Sequence, residues 1–103
     1  MAEIIWSEPA LEELEQIAEY IALSNPYAAS DLVKRIFQVV DRLQEFPESG
    51  RIPPELPTFN YREVVVDPCR VFYRAEGDMI YVAHVLRQER DIRRFLASGR
   101  TSD

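Results

Sequence analysis

The sequence has few of the residues from which disulfide frameworks and metal centres are built. It contains one cysteine, Cys69, and one histidine, His84. A lone thiol cannot form an internal disulfide, and protein zinc sites take about four ligands, mostly Cys and His. We therefore expect no metal, no cofactor and a protein of the reducing cytoplasm.

Long apolar runs and a basic leader are also missing. The opening stretch MAEIIWSEP has no basic residue and no apolar run of signal-peptide length, and no segment approaches the roughly 20 apolar residues that cross a bilayer. A hydrophobic content of 47% with 29% charged residues is typical of a globular protein. We expect residues 1–103 to form one domain that works in the cytoplasm without membrane contact.

Cations are scarce and unevenly placed. The net charge is −6, and residues 1–50 hold three of the twelve basic residues against ten of the eighteen acidic ones. Such a chain is poorly suited to gripping long nucleic acid by bulk electrostatics, so direct nucleic-acid binding is not expected. Yet one short stretch, HVLRQERDIRRF from His84 to Phe95, gathers four arginines: Arg87, Arg90, Arg93 and Arg94.

The first half of the chain predicts a strand and two helices. Residues 2–6 form a short apolar run, and Ser7 offers an N-cap before Pro9. Apolar residues at helical spacing then predict one helix to Ile21 and a second one from Asn25 to about Phe46. The two would form an αα-hairpin, and the first helix has an acidic outer face.

The second half predicts three strands after a proline-rich connection over residues 47–59. The strands are residues 61–66, 69–75 and 79–86, the last two joined at Gly77-Asp78. The resulting fold class is α+β, with an antiparallel sheet of about four strands in the order β-α-α-β-β-β and the αα-hairpin packed on one face. The hairpin register places Val71 opposite His84 and predicts that Arg70, Phe72 and Arg74 lie on an open, wet face.

The predicted core follows from this register. Five strand residues are expected to be buried against the helices: Val71, Tyr73, Ile80, Val82 and His84. The helix residues that should cover them are Leu14, Ile17, Ile21, Ile36 and Val40.

This order of elements and three short motifs resemble the RelE/ParE superfamily of toxins from type II toxin–antitoxin systems. The motifs are FPESGR from Phe46 to Arg51, CRVFYR from Cys69 to Arg74, and HVLR from His84 to Arg87. The resemblance covers nearly the whole chain. It implies a toxin neutralised by a cognate antitoxin, in a possible hetero-oligomer with it, and a role in plasmid stabilisation.

Two activities compete within that superfamily. RelE-like members are ribosome-dependent mRNA interferases that use basic residues of the sheet and a tyrosine in the tail, whereas ParE-like members inhibit DNA gyrase by binding. Carried over to this chain, the ribonuclease set would be Arg62, Arg70 and perhaps Arg74. The tail tyrosine position falls on Arg94, and arginine is a poor general base at neutral pH. The resemblance therefore favours the ParE-like activity with no catalytic residue.

Several alternatives stay open at this point. The arginine-rich stretch with Phe95 is either a docking surface for an acidic antitoxin segment or a solvated helix face with a Glu89–Arg93 pair. His84 is either a general acid or base or, as we favour, a buried hydrogen-bonded histidine. A third functional interpretation is a non-toxic domain that retains only antitoxin recognition.

Overall fold

The computed structural model describes residues 2–97. The elements in chain order are β1 Glu3–Trp6, α1 Glu8–Ala22, α2 Pro26–Arg42, β2 Arg62–Val66, β3 Cys69–Glu76, β4 Met79–Arg87 and α3 Ile92–Ala97. Among the described residues, no helix is long and apolar enough to cross a membrane.

Both long helices begin where the sequence predicts. The Ser7 hydroxyl accepts a hydrogen bond from the Ala10 amide at 3.0 Å, and the Asn25 side chain accepts one from the Ala28 amide at 3.1 Å. A proline occupies the first turn of each helix, where its missing amide is not needed. The second helix ends at Arg42, earlier than the apolar periodicity suggested, because turns occupy residues 43–45.

The sheet has the strand order β1-β4-β3-β2 and is mixed. The strands β2, β3 and β4 are antiparallel as predicted, but β1 pairs with β4 in parallel. A tight turn such as Gly77-Asp78 forces antiparallel pairing, whereas strands joined through long connections can pair in either direction. The sequence signal for β1 carried no information on its direction.

The αα-hairpin packs on one face of the sheet and forms the main core with it. All five predicted strand residues are buried, at 4% exposure or less. Leu14, Ile36 and Val40 are buried in the same cluster, and Ile17 and Ile21 pack against it while partly exposed. The prediction of this core is confirmed for the four other strand residues, whereas His84 is buried opposite Phe72.

A β-bulge changes the register halfway along the β3–β4 hairpin. Tyr73 lies opposite Val82 as predicted, but His84 lies opposite Phe72 and not opposite Val71. Ala83 is the additional residue, and an additional residue reverses the side-chain alternation beyond it. Val85 consequently joins the main core, which the predicted register did not allow.

The second face of the sheet is partly covered, so the prediction of a wet face is wrong for Arg70 and Phe72 and holds for Arg74. Phe72 is fully buried in a smaller cluster with Leu56 of the proline-rich connection and Ile92 of α3. The connection and α3 fold over this face because both carry apolar side chains that must leave water. Together they cover part of β3.

Candidate functional site

The three arginines of the ribonuclease hypothesis do not meet at one site. Arg62 lies opposite Tyr73, whose side chain is in the main core, and therefore faces the helix side of the sheet. Its guanidinium donates to the Gly50 carbonyl at 2.9 Å and to the Glu48 carbonyl at 3.3 Å. It anchors the start of the proline-rich connection and points away from the face that carries the other two.

Arg70 is buried, and the prediction that it is solvent-accessible is wrong. Its exposure is 6%. Its Nε donates to Glu63 at 2.6 Å, and its two terminal nitrogens donate to the two carboxylate oxygens of Glu55 at 2.7 Å. A further bond of 3.2 Å reaches the Arg90 carbonyl, and the guanidinium lies 4.8 Å from the Phe72 ring centre.

The charges of this buried cluster are balanced. The Glu63 carboxylate is fully buried and is shared between Arg70 and Arg51, both at 2.6 Å. The hydrogen bond from Arg70 lowers the pKa of Glu55, and the hydrogen bond to Glu55 raises the pKa of Arg70. Four of the five N–H groups of Arg70 thus bond to internal partners, and an external phosphate would have to displace Glu55 to pair with both terminal nitrogens.

Arg74 is the most accessible arginine on the second face. Its side chain is 39% exposed, and its guanidinium lies 4.9 Å from the ring centre of Tyr81 and 6.0 Å from that of Tyr61. The Nε atom is 3.5 Å from Glu76, but it is buried and makes no hydrogen bond. The contact with Glu76 is therefore electrostatic only, and the two rings hold the guanidinium by cation–π attraction.

His84 has the buried, hydrogen-bonded position that the sequence favoured. Its Nδ1 lies 3.1 Å and 3.2 Å from the two carboxylate oxygens of Glu13 on α1. The same carboxylate accepts a hydrogen bond from the Val85 amide at 3.0 Å. Glu13 thus holds α1 against β4, and its contact to His84 is structural.

Cys69 is a packed thiol. It is fully buried in the main core, and burial raises the pKa of its thiol to about 11. Within residues 2–97, no group of three His, Cys, Asp or Glu side chains is arranged to hold a metal ion.

The arginine-rich stretch is only partly helical. Because α3 begins at Ile92, Glu89 lies outside it and the predicted Glu89–Arg93 pair is wrong. Glu89 instead pairs with Arg87 at 2.9 Å, and Arg93 pairs with Asp91 at 3.3 Å.

The remaining residues of the stretch differ in their exposure and contacts. Arg94 is exposed on α3, and the Arg90 carbonyl is bound by Arg70. Ile92 belongs to the second core cluster and Leu96 packs against it, whereas the side chain of Phe95 lies outside the described residues.

The FPESGR motif is hydrogen-bonded to Tyr73 of β3, a structural role that the sequence analysis did not recognise. The Tyr73 hydroxyl donates to the Pro47 carbonyl at 2.8 Å and accepts from the Gly50 amide at 2.9 Å. A Cβ at Gly50 would lie only 2.6 Å from the Tyr73 hydroxyl, so a larger residue does not fit there. The signal in the sequence was the glycine of this motif, because glycine permits the close approach of another group to the backbone.

Comparisons with known proteins agree with this fold and this set of motifs. Residues 4–92 match the family described as the ParE toxin of the type II toxin–antitoxin system parDE. The chain is 37% identical to Toxin RelE2 of Caulobacter vibrioides over 89 residues, which are 84% of this chain and 92% of that one. It is 46% identical to the Sinorhizobium fredii protein Y4kP over 87 residues, 82% of this chain and 90% of that one.

A solved structure supports the same assignment. The chain matches a structure titled as the chromosomal ParDE system of P. aeruginosa with a TM-score of 0.71 and 26% identity, over 86% of this chain and 98% of that one. The chain belongs to the ParE toxin family of type II toxin–antitoxin systems. Its superfamily is the one that the three motifs resemble.

Proposed function

We propose that this protein is a toxin that arrests growth by binding DNA gyrase in the cytoplasm and that a cognate antitoxin neutralises it. Gyrase as the target comes from the ParE-like family, and the antitoxin follows from the type II system to which the matched family belongs. In this proposal the protein performs no covalent chemistry and is a single-domain inhibitor without a cofactor.

The observation that supports the proposal most directly is that Arg70 is already bound by two internal carboxylates. Catalysis of RNA cleavage needs cations that meet the developing phosphate charge. Here Arg70 is buried between Glu63 and Glu55, and Arg62 bonds to backbone carbonyls on the opposite side of the sheet. Both features speak against a working ribonuclease site.

A second candidate function is an mRNA interferase, and one observation favours it. Arg74 is accessible between Tyr61 and Tyr81, and aromatic rings beside an arginine can stack RNA bases. The carboxylate near this site, Glu76, is already paired with Arg74 at 3.5 Å, and His84 binds Glu13 on α1. We therefore rank it second.

Supercoiling by purified gyrase tests the first candidate. The wild-type protein should inhibit supercoiling, and the Arg74→Gln variant should inhibit equally well because Arg74 has no catalytic role in this proposal. Expression without antitoxin should produce filamented cells with DNA damage.

Primer extension on cellular mRNA tests the alternative. Cuts in phase with codons that disappear in the Arg74→Gln variant would make the protein a ribosome-dependent interferase and overturn the gyrase proposal. If expression has no effect on growth while the antitoxin still binds, the non-toxic antitoxin-binding domain is the correct interpretation.

Antitoxin docking is proposed at the arginine-rich stretch: Arg87, Arg90, Arg93, Arg94 and Phe95. Antitoxins that partner toxins of the superfamily this chain resembles end in flexible segments. A segment that folds on binding can follow an extended charged surface. The side chains of Arg93 and Arg87 are accessible, with only exposed ion pairs to exchange. A toxin–antitoxin hetero-oligomer would follow from this docking.

A further inference from the structure

The outer edge of β4 is only partly covered. β1 pairs with β4 from Met79 to Val82 and then ends, whereas β4 continues to Arg87. Beyond β1 the chain covers this edge with other groups. The Ser7 amide donates to the Val82 carbonyl at 3.0 Å and the Ser7 hydroxyl to the Ala83 carbonyl at 2.9 Å.

The last part of the edge has no strand paired with it. Because the Val85 amide is bound by Glu13 of α1, it points away from β3, and alternation directs the Val85 carbonyl and the Arg87 amide the same way. Among the described residues neither group has a backbone partner on that side. Of the two, the Arg87 amide belongs to a half-buried residue and can donate to an added segment, whereas Val85 is fully buried.

This unpaired edge forms one wall of a groove whose other wall is α1. The groove has a volume of about 850 Å³. Its α1 wall carries the carboxylates of Glu8 and Glu12, and its far end carries Arg87 and Arg90. Ile17 and Tyr20 supply apolar surface to the groove, whereas the Leu86 side chain is buried in the second core cluster.

The groove is therefore acidic along its α1 wall and carries the two arginines at its far end. α1 contains no basic residue, so nothing on that helix neutralises Glu8 or Glu12. Arg87 is held by an exposed pair with Glu89 and lies 5.9 Å from the Tyr20 ring centre. Exposed pairs are weak enough to be exchanged for a partner's carboxylate.

We propose that this groove receives a short extended segment of the antitoxin that carries both charges. A basic side chain of the segment faces Glu8 and Glu12, an acidic side chain faces Arg87 and Arg90, and an apolar side chain between them covers Ile17 and Tyr20. The inference rests on the proposed antitoxin partnership. It changes the expected partner from a purely acidic segment into one of mixed charge, and it adds α1 to the docking surface.

The experiment compares Glu12→Arg with Glu15→Arg in binding to the purified antitoxin encoded beside the toxin. Both glutamates are exposed on α1 and both variants change the net charge equally, but only Glu12 lines the groove. We expect Glu12→Arg to weaken binding by about tenfold or more and Glu15→Arg by less than about twofold. Matching thermal unfolding curves verify that both variants are folded.

Equal losses in the two variants would show a long-range charge effect and overturn the groove as a site, and so would unchanged binding in both. Absence of binding by the wild-type protein is a different result, because it overturns the antitoxin partnership itself. The failure of the inference is thus separable from the failure of the proposed function.

Amide exchange in the wild-type complex provides an independent test. The Arg87 amide should exchange about tenfold more slowly or better when antitoxin is bound, because the added segment accepts its hydrogen bond. The Val85 amide is the internal control, since Glu13 already binds it in the unbound protein. A complex of full affinity in which Arg87 exchange is unchanged would contradict the strand-like docking.

Discussion

Glu63 is the residue whose environment depends most on its neighbours. Its carboxylate is fully buried, and only Arg70 and Arg51 offset the loss of hydration. Burial of an ion pair costs several kcal/mol in desolvation for each ion, so such a pair adds little net stability while it is intact. Loss of one partner is far more damaging because it leaves a buried charge uncompensated.

Replacement of Arg70 should therefore destabilise the protein strongly. We expect Arg70→Met to lower the free energy of unfolding by about 3–5 kcal/mol. The substitution leaves most of the buried charge of Glu63 uncompensated and removes both bonds to Glu55. Arg51→Met is the matched control because its side chain is 62% exposed while it pairs with the same carboxylate. Urea unfolding measures both, and equal losses would contradict the different roles assigned to the two arginines.

At the scale of elements, the proline-rich connection and α3 share one anchor. Arg70 binds the connection through Glu55 and the segment before α3 through the Arg90 carbonyl. Leu56 and Ile92 place apolar side chains from the same two segments over Phe72. The position of α3, and with it the orientation of the arginine-rich stretch, is thereby coupled to one ion pair on β3.

This coupling should be sensitive to acid. The pKa of Glu55 is lowered from 4.5 in the folded protein, chiefly by the hydrogen bond from Arg70. A lowered pKa contributes stability that is present above the unfolded value and is lost as the pH falls through the folded value. The stability difference between wild type and Glu55→Gln should therefore shrink as the pH descends below 4.5.

Urea unfolding across a pH series measures that difference. The control is Glu15→Gln, which removes an exposed carboxylate of α1 that lies outside every described ion pair. Its difference from wild type should stay small at each pH. A Glu55→Gln difference that is constant through the acid range would show that the Arg70 pair does not hold the connection.

The two arginines of α3 should govern the rate of antitoxin association. Charges at the rim of an interface mainly set the encounter rate and its salt dependence. We expect Arg93→Gln with Arg94→Gln to slow association and flatten its dependence on ionic strength, with thermal stability nearly unchanged. The double variant Lys34→Gln with Arg42→Gln removes the same charge from the exposed side of α2 and should act less.

Stopped-flow mixing across a salt series distinguishes the two pairs. Identical rates and slopes in both double variants would leave the arginines of α3 as a solvated face without a docking role. Arg93 pairs with Asp91 and not with Glu89, so the variant leaves the Arg87–Glu89 pair in place.

At the scale of the whole molecule, the fold brings the acidic and basic halves of the chain together. α1 carries an exclusively acidic charge and packs along β4, whose end begins the arginine-rich stretch. The arginines therefore act beside carboxylates and not as an extended basic surface. This arrangement suits a protein partner of mixed charge better than a polyanion.

The purified toxin should accordingly bind nucleic acid poorly. Non-specific binding of basic proteins at physiological salt has dissociation constants of about 10⁻⁴–10⁻⁶ M. With a net charge of −6, this protein should fall at or below the weak end of that range for duplex DNA and single-stranded RNA alike. Electrophoretic shifts and fluorescence anisotropy measure it, and micromolar binding would contradict the charge argument.

The sequence by itself determined the features that depend on local interactions. Ser7 and Asn25 cap their helices, Gly77 adopts a φ of 55° in the predicted turn, and the apolar spacing identifies the core face. These positions are set by neighbours within a few residues along the chain. The three motifs identified the superfamily because they occur together in the same order of elements.

Only the tertiary structure decided the candidate site. The bulge at Ala83 turns Val85 into the core, and no local residue preference marks it. Arg70 looked accessible because alternation alone cannot show that a connection 15 residues away in the chain returns to bring Glu55 onto it. The groove beside β4 likewise exists only because β1 is shorter than its partner. A contact over 76 residues of sequence, such as the hydrogen bond from the Ser7 hydroxyl to the Ala83 carbonyl, is a property of the folded chain.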